Sequence, residues 1–478
     1  MESFRGVKLN KWFEVDTAGL AQLQAGKPKT FIVNELVQNA WDEDITLCGI
    51  RFKYEMDNKL LTITVQDDSP EGFKNITHAY TLFADTYKRS DPTKRGRFNL
   101  GEKQVIAICE EAIVKTTKGT IIFDYKGRHE TEEKTDTGSK IIVTLKASFN
   151  DYKEVTEHAK KLLVPNDIIY TVDGVEVPPR KIFKTFKAKL LTDILNGETF
   201  KVQTRETKVN LVESNGQSYI YEMGIPILKT DCPWHIDVQQ KVQLNIDRDN
   251  ILPSYLQDLY AEVLNHTFND IEEPSALWVR TAMKDKRATP EAVKGIMNKR
   301  FVDKFCIANP LDKKSMEEAI SKGYNPIFGG EMSKEEWAII KDKVDIESST
   351  QLFGHNALAE AEVVKPSNCM TQTALYTKNI ASRILGIKVD IKFVKSAESN
   401  VAADYSRTDK VLRFNVARLP KSFFENPVSS QTTELIIHEL AHEDGGHIDY
   451  SYQEKCCEIG AKLSMLALKE PEFFKVTL

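Results

Sequence analysis

Residues 34–44 read NELVQNAWDED, and this stretch decides the fold expected for the first part of the chain. Glu35, Asn39 and Asp42 recur at the spacing i, i+4 and i+7, so a helix over residues 30–48 would carry them on one face. Five residues supply an apolar face for packing: Ile32, Val33, Leu36, Val37 and Ala40. Asn39 offers a hard oxygen to Mg²⁺, and Glu35 can deprotonate a water. The same pattern is also typical of a plain amphipathic helix.

A second polar stretch, VQDDSPEGF at residues 65–73, follows the alternating strand predicted at residues 59–66. An aspartate at the end of a strand can accept a hydrogen bond from the exocyclic amine of adenine, and Asp67 and Asp68 both stand there. Gly72 would let the chain turn closely under the base. The competing interpretation of this stretch is an acidic surface turn.

The third stretch, KRSDPTKRGRFNLGEKQVIAI at residues 88–108, is a basic loop that runs into a helix predicted at 101–110. Backbone N–H groups of such a loop, together with a helix N-terminus, can surround phosphate groups. The candidate phosphate-binding residues are Arg95, Gly96, Asn99, Leu100, Gly101 and Lys103. A fourth element, Thr137-Gly138-Ser139, precedes the strand KIIVTL, and a hydroxyl there could support the contact between aspartate and adenine.

The order and spacing of these four elements resemble the GHKL ATPases, the superfamily of gyrase, the ninety-kilodalton heat-shock chaperones, histidine kinases and MutL. The family motif E-x-x-x-N-A-x-D matches Glu35, Asn39, Ala40 and Asp42. The resemblance implies that ATP and Mg²⁺ are the cofactors, with Glu35 as general base and Asn39 as the magnesium ligand. It places adenine at Asp67, phosphates at Gly96 and Gly101, and the last motif at Thr137 or Ser139.

Two motifs depart from the family pattern. The usual D-x-G-x-G is replaced by residues 67–72, DDSPEG, so the aspartate that meets adenine can be Asp67 or Asp68. The last motif usually has threonine after glycine, where this chain has Ser139. The resemblance covers about the first 180 residues and implies a transducer-like domain over 190–270. Histidine kinases of this superfamily carry the histidine that they phosphorylate on a pair of helices before the ATPase domain. A histidine kinase is disfavoured here because no histidine precedes His78.

The second constellation lies near the C-terminus, where residues 438–442 read HELAH. His438 and His442, one helical turn apart, can chelate one Zn²⁺, and Glu439 would polarise a zinc-bound water. The glycine pair at 445–446 would bring His447 round as a third ligand. The alternative third ligands are Glu454 and Glu458 on the next helix, and a pair of histidines decorating a packed helix is the competing interpretation.

Residues 370–470 resemble minimal zincin metallopeptidases, which implies hydrolysis of a peptide bond, although degenerate zincins bind metal without cutting. An ATPase followed by a zincin-like tail also resembles ATP-binding proteins of phage and prophage genomes. The fold class expected is therefore α/β (α+β): a Bergerat-type ATPase sandwich over 1–187, a mixed transducer-like domain over 188–275, a helical connector over 276–350 and a zincin-like domain over 351–478.

Composition limits the function classes further. The chain has 478 residues and a net charge of −5, which gives no global support for nucleic-acid binding. Its seven dispersed cysteines form no disulfide framework, and no apolar run is long enough to span a membrane, so a cytoplasmic protein is expected.

Three functions follow as hypotheses from these patterns. The first is an ATP-driven conformational machine coupled to a zinc-dependent peptidase that acts on a protein or peptide partner. The second is an ATP-switched clamp or scaffold whose tail only binds partners, and the third is a DNA-acting ATPase of the MutL or gyrase kind. The resemblance also implies a homodimer that forms when ATP binds.

Overall fold

A computed structural model describes residues 16–97, 99–196, 199–245, 250–302, 304–310, 312–353, 358–399, 401–446 and 450–475. The chain forms two compact units. The first comprises Met1–Thr267 and Ser275–Arg287, and the second comprises Phe268–Pro274 and Ala288–Leu478. The segments expected as ATPase and transducer-like domains thus lie almost entirely in one unit.

An eight-stranded sheet organises the beginning of the first unit. Its strands are β1 (Leu47–Glu55), β2 (Leu60–Asp67), β3 (Glu111–Thr116), β4 (Gly119–Asp124), β5 (Gly127–Thr131), β6 (Lys140–Lys146), β7 (Ile169–Val172) and β8 (Val175–Glu176). The order across the sheet is β5-β4-β3-β6-β2-β1-β7-β8, and only β1 and β7 pair in parallel. Buried residues alternate along β2 and β6, as expected for strands with one face against a core.

Helices of the first unit pack on that buried face or on one another. They are α1 (Thr17–Gln24), α2 (Thr30–Trp41), α3 (Gly101–Ala107) and α4 (Phe149–Ala159). The apolar face predicted for α2 is buried, and α2 packs against β1, β2 and α4. The expected helix over 30–48 is shorter in the structure, because the polar residues 42–44 end it and Ile45 and Cys48 join the core of the sheet. Asn39, on the polar face of α2, borders the same space as Asp67 at the end of β2 and Ser139 just before β6.

A second sheet of five strands belongs to the same unit. Its strands are β9 (Ile182–Asn196), β10 (Thr199–Glu213), β11 (Ser218–Glu222), β12 (Ile225–Thr230) and β13 (Trp234–Val238), in the order β12-β11-β13-β10-β9. Helices α5 (Pro253–Thr267) and α6 (Leu277–Ala282) follow. Backbone hydrogen bonds join this five-stranded region to the segment that follows α4. For example, Leu163 N donates to Gly224 O at 2.9 Å.

The second unit begins with a small α/β segment. Its elements are α7 (Pro290–Phe301), β14 (Phe305–Ile307), α8 (Lys313–Ser321), β15 (Asn325–Ile327), α9 (Lys334–Lys343) and α10 (Ser349–Phe353). The helical connector expected over 276–350 also contains the parallel strand pair β14 and β15. Each strand has only three residues and β15 contains Pro326, so no strand pattern is visible in the sequence.

The rest of the second unit packs helices on a four-stranded sheet. Its elements are β16 (Glu362–Val363), α11 (Asn368–Ile380), β17 (Asp390–Lys395), β18 (Ala403–Ser406), β19 (Val411–Asn415), α12 (Lys421–Glu425), α13 (Ser430–Ala441) and α14 (Tyr450–Lys469). The strand order is β16-β17-β19-β18, which makes β18 an edge strand beside α13.

The mixed α/β class expected from the sequence is confirmed, since both units combine helices with mixed sheets. Among the described helices, none combines the length and the apolar character that crossing a bilayer requires.

Candidate functional site

A cavity of about 270 Å³ lies in the first unit, between α2, the ends of β2 and β6, and the segment that runs from residue 72 to residue 102. Its lining residues are Leu36, Asn39, Ala40, Glu43, Val65, Asp67, Gly72, Phe73, Lys74, Asn75, His78, Asp85, Thr86, Tyr87, Lys88, Gly96, Asn99, Glu102, Ser139 and Ile141. Residues from all four sequence motifs therefore meet around one space.

Asp67 borders the cavity, and one of its two carboxylate oxygens is hydrogen-bonded to the backbone. Its Oδ1 accepts hydrogen bonds from the backbone N–H groups of Ser69 at 3.0 Å and Ser139 at 3.1 Å. These bonds fix the carboxylate, while Oδ2 accepts no hydrogen bond from the described residues. Burial raises the pKa of Asp67 to about 6, against the lowering effect of the two backbone bonds. The site thus holds an oriented acceptor that is ionised at neutral pH.

Asp68 and Thr137, unlike their neighbours Asp67 and Ser139, do not border the cavity. The Asp68 carboxylate accepts bonds from the backbone N–H groups of Thr46 and Leu47, both at 2.9 Å, and ties the start of β1 in place. Thr137 is exposed, and its hydroxyl lies 3.4 Å from the carbonyl oxygen of Asp68. Of the two alternatives in each motif, Asp67 and Ser139 border the cavity.

Two glycines make the longer DDSPEG turn possible. Gly138 has φ +71°, and a Cβ there would lie 1.9 Å from the backbone oxygen of Asp67. Gly72 has φ +57° and sits against the same strand end, 3.1 Å from Gly138 O if given a Cβ. The turn and the β6 entry are therefore in direct backbone contact, and Gly138 N donates to Ser69 O at 2.8 Å.

The opposite end of the cavity is formed by Asn39 and ionic side chains. Asn39 Nδ2 donates to Glu102 Oε2 at 2.9 Å, and the other oxygen of Glu102 is paired with Lys103. Lys88 Nζ lies 2.7 Å from Glu43 Oε1. Burial lowers the pKa of Lys103, although its pairing with Glu102 opposes that effect. This end therefore combines an amide with buried charges of both signs.

Glu35 shares the polar face of α2 with Asn39 but does not border the cavity. Its carboxylate accepts a hydrogen bond from Gln38 and lies against Gly101, where a Cβ would overlap it at 1.7 Å. Only glycine fits at position 101 while Glu35 keeps this position.

Asp42, the third residue of the helix motif, is completely buried and anchors the lid loop, defined as residues 88–97 and 99–101. Its carboxylate accepts from the backbone N–H of Arg95 at 2.9 Å and of Gly96 at 2.6 Å. A Cβ on Gly96 would lie 2.6 Å from Asn39 Oδ1, so the loop passes directly over the amide.

The arginines of the lid loop reach the second sheet. Arg95 Nε donates to Met223 O at 2.8 Å, and Arg97 Nη1 donates to Asp193 O at 2.6 Å. Arg97 is 1% exposed, and its guanidinium lies over the Phe200 ring at 4.8 Å. The expected phosphate-binding role of Arg95 finds no support in this position, because its side chain bonds to protein carbonyls and to Asp42.

The end of the lid loop is tied down by Asn99, which has φ +48°. Asn99 Nδ2 donates to Thr81 O at 2.8 Å, and its Oδ1 accepts from Lys103 Nζ at 2.9 Å. Leu100 then precedes the first residue of α3, Gly101.

Several lining residues have no motif that could reveal them. Thr86 contributes a buried hydroxyl with no partner among the described residues, and Lys74 Nζ lies 3.9 Å from the centre of the Tyr87 ring. Glu102 stands beside a motif glycine, but its contact with Asn39 spans 63 residues and leaves no local signal.

In the second unit, the two histidines of the HELAH sequence lie close together at the end of α13, where His442 is one residue beyond the helix, with ring centres 5.4 Å apart. His442 Nδ1 lies 3.0 Å from Gly445 O, and His438 Nδ1 lies 2.8 Å from the Tyr452 hydroxyl. Glu439 is 4% exposed, and its Oε2 has no hydrogen bond from the described residues. Burial, with a smaller contribution from Asp404, raises the pKa of Glu439 well above its usual value.

The proposed third ligands are not gathered at these histidines. Within the described part of the chain, no three His, Cys, Asp or Glu side chains form a group that could hold a metal. His447 lies outside the described residues. Glu458 pairs with Lys455 and Lys462, which lower its pKa to about 2, and Glu454 is exposed on the same helix.

Comparisons with known proteins add little to this geometry. No protein-family model matches the chain, and no curated protein matches it. Among solved structures, the ATPase region of Saccharomyces cerevisiae topoisomerase II is similar, with 11% sequence identity and a TM-score of 0.30. That similarity covers 46% of this chain and 75% of the topoisomerase chain. A likeness at this level does not define a function.

Proposed function

We propose that the chain binds and hydrolyses ATP in the cavity of the first unit, in the manner of the GHKL ATPases that its motifs resemble. The observation that carries the proposal is the Asp67 carboxylate. Two backbone N–H groups hold one of its oxygens, and the second oxygen remains as an acceptor beside the cavity. Such an acceptor fits the exocyclic amine of adenine, and the apolar side chains of Val65 and Ile141 suit the faces of the base.

The phosphate end would be the end formed by Asn39, Gly96 and Lys88. An ATP-bound Mg²⁺ keeps several waters and takes only one or two protein ligands, so Asn39 Oδ1 is sufficient as a protein ligand. When bound, the magnesium ion would neutralise charge on the phosphates. Lys88 adds a positive charge at the cavity wall.

Hydrolysis requires a base, and Glu35 is the residue that the helix motif assigns to that role. Its carboxylate now lies under Gly101 and beside Gln38. A displacement of Gly101 with the lid loop would open a path from Glu35 to the cavity. The proposal therefore couples hydrolysis to a rearrangement of that loop.

Steady-state hydrolysis measures this role directly. Replacing Glu35 with alanine is expected to lower kcat roughly 100-fold or more, because a general base contributes about 10²–10⁴-fold. Nucleotide affinity should change only slightly, since Glu35 does not border the cavity. The matched control is Glu157→Ala on the exposed face of α4. Unchanged turnover in Glu35→Ala would remove Glu35 from the reaction.

Movement of the lid loop would be felt by the second sheet. Arg95 and Arg97 join the loop to Met223 and Asp193, and Lys241 N donates to Pro92 O at 3.2 Å. We propose that nucleotide binding changes the second sheet through these contacts. Dimerisation on ATP binding, which the resemblance implies, belongs to the same proposal.

The titration of Asp67 gives a pH dependence with a definite sign. Its pKa of about 6 means that the carboxyl gains a proton as pH falls through 6 and then no longer offers Oδ2 as an acceptor. Adenosine, which has no phosphate to titrate, is therefore expected to bind about tenfold more weakly at pH 5 than at pH 7. Equilibrium titrations at both pH values test this, and equal affinities would contradict the assignment of Asp67.

A second function, a zinc ion in the tail, is supported by one observation on α13. A backbone carbonyl beside His442 Nδ1 favours the tautomer with its proton there, which leaves Nε2 as the metal-binding atom. The buried carboxylate of Glu439 lies between the two histidines in sequence, as in metallopeptidases. Zinc would be held by His438 and His442 with His447 as the proposed third ligand, and it would activate a water for attack on a peptide.

Metal analysis of the full chain, purified without chelator, tests the tail separately. The expected result is one zinc per chain, lost in His442→Ala and kept in the control His129→Ala, whose imidazole lies on the exposed strand β5. Glu439→Gln removes the carboxylate that would activate the zinc-bound water. If zinc is bound but the cellular activity of the original chain survives this substitution, the tail is a binding module for a partner protein. Protein without zinc would rule out both versions.

A further inference from the structure

We propose that Glu102 orients the side-chain amide of Asn39 so that its oxygen, and not its nitrogen, faces a bound magnesium ion. This role rests on the proposed ATP site and adds a positioning residue that is not among the candidate site residues of the four motifs. Glu102 lines the cavity, is 7% exposed and accepts a hydrogen bond from Asn39 Nδ2 at 2.9 Å.

The chemistry of the two groups explains the effect. An ionised carboxylate only accepts hydrogen bonds, whereas a carboxamide has a donor end and an acceptor end. The amide of Asn39 must therefore turn Nδ2 toward Glu102 and Oδ1 away from it. Oδ1 then lies next to the lid glycine Gly96, as the close approach of a Cβ at that glycine indicates. Only the oxygen of an amide can ligate a hard cation.

Glu102 is itself held in position by an ion pair. Its Oε1 is paired with Lys103, whose ammonium also donates to Asn99 Oδ1 at 2.9 Å. Asn99 is fixed in turn by the carbonyl oxygens of His78 and Thr81. A continuous set of polar contacts thus runs from the lid loop to Asn39. Since both oxygens of Glu102 are engaged, it is suited to hold a neighbour in place and not to take a proton from water.

The test compares nucleotide affinity with and without magnesium. Calorimetry of the full chain with the non-hydrolysable analogue AMPPNP gives one dissociation constant in Mg²⁺ and another in EDTA. The magnesium preference is the constant in EDTA divided by the constant in Mg²⁺. Glu102→Gln lets the amide of Asn39 adopt either orientation, because glutamine can donate as well as accept. Loss of a residue that orients a ligand typically costs roughly 10- to 100-fold in metal affinity, and a fall of that size is expected in the ratio. The affinity in EDTA should stay within about threefold.

An exchange of the two groups provides the rescue. In Asn39→Asp combined with Glu102→Gln, the carboxylate has an oxygen on both sides, so its orientation no longer matters. The magnesium preference should return to within about threefold of the original chain. The control Glu336→Gln removes a buried carboxylate from its pair with Arg300 in the second unit and should leave the preference unchanged.

Each outcome separates the alternatives. A full magnesium preference in Glu102→Gln, an equal loss of affinity with and without magnesium, or an exchange variant that fails to recover would overturn the positioning role. If the unmodified chain binds no AMPPNP under either condition, the ATP site itself is wrong, and that failure is distinguishable from the others.

Discussion

Replacing Asp67 with asparagine is expected to weaken ATP binding roughly 100-fold, because about 2–3 kcal/mol is typical for a hydrogen bond to a charged group whose loss leaves a donor unpaired. Asparagine can still accept from Ser69 N and Ser139 N through Oδ1, so the local backbone is preserved. Its Nδ2 group would then stand where Oδ2 stands now and would oppose the amine of adenine donor to donor. Isothermal titration calorimetry of the full chain measures the change.

Asp68→Asn is the matched control for that substitution. Asp68 is adjacent in sequence and carries the same charge, but its carboxylate binds Thr46 and Leu47 and does not border the cavity. ATP affinity should change less than about threefold, with a loss of stability of about 1 kcal/mol or less. The opposite pattern, with Asp68→Asn the defective protein, would show that the adenine contact has been assigned to the wrong aspartate.

Replacing Gly138 with alanine is expected to destabilise the first unit by about 3 kcal/mol or more. The new Cβ would lie 1.9 Å from the backbone oxygen of Asp67, and a backbone atom cannot move aside as a flexible side chain can. The positive φ adds a further cost of about 1–2 kcal/mol for any residue with a Cβ. Hydrogen exchange of peptides covering residues 60–67 and 140–146 should accelerate, while peptides from β17 in the second unit should not change.

Gly174→Ala measures the cost of a positive φ without a clash, so its difference from Gly138→Ala gives the cost of the clash. Gly174 lies between β7 and β8 with φ +84°, and a Cβ there would have no atom within 4 Å. The expected cost is therefore only that of the positive φ, about 1–2 kcal/mol. If the two alanine variants are equally stable, the close approach between Gly138 and Asp67 does not constrain the site.

The fold was predictable where one residue pattern dominates. The apolar face of α2 and the alternation along β2 follow directly from helical and strand periodicity, and both are buried as expected. The boundaries of the helices and strands depended also on tertiary contacts. Helix α2 ends at Trp41 because the next residues enter the lid anchor and the sheet core, and neither contact is visible in a local stretch of sequence.

The candidate site was predictable in part, because spacing fixes which residues share a face but not how deeply each one lies. Asp42 lies one residue beyond the end of α2, is completely buried and holds Arg95 and Gly96 of the lid loop. Glu102 was missed because its contact with Asn39 spans 63 residues of sequence. Arg95 and Arg97 fit a phosphate-binding loop by composition, but carbonyl oxygens of the second sheet are their partners.

The tail illustrates the limit of a short motif. The spacing of His438 and His442 predicts two side chains on one side of a helix, which the structure has. A third ligand depends on the path of the chain after Gly446, and the motif does not determine that path.

Calorimetric titration of the full chain with AMPPNP and Mg²⁺ tests the ATP site most directly. Saturable binding at one site per chain is predicted, with affinity roughly 100-fold weaker in Asp67→Asn and retained in Asp68→Asn. A folded chain that releases or absorbs no heat with the nucleotide, or that binds it equally well after Asp67→Asn, would contradict the assignment of this cavity to ATP.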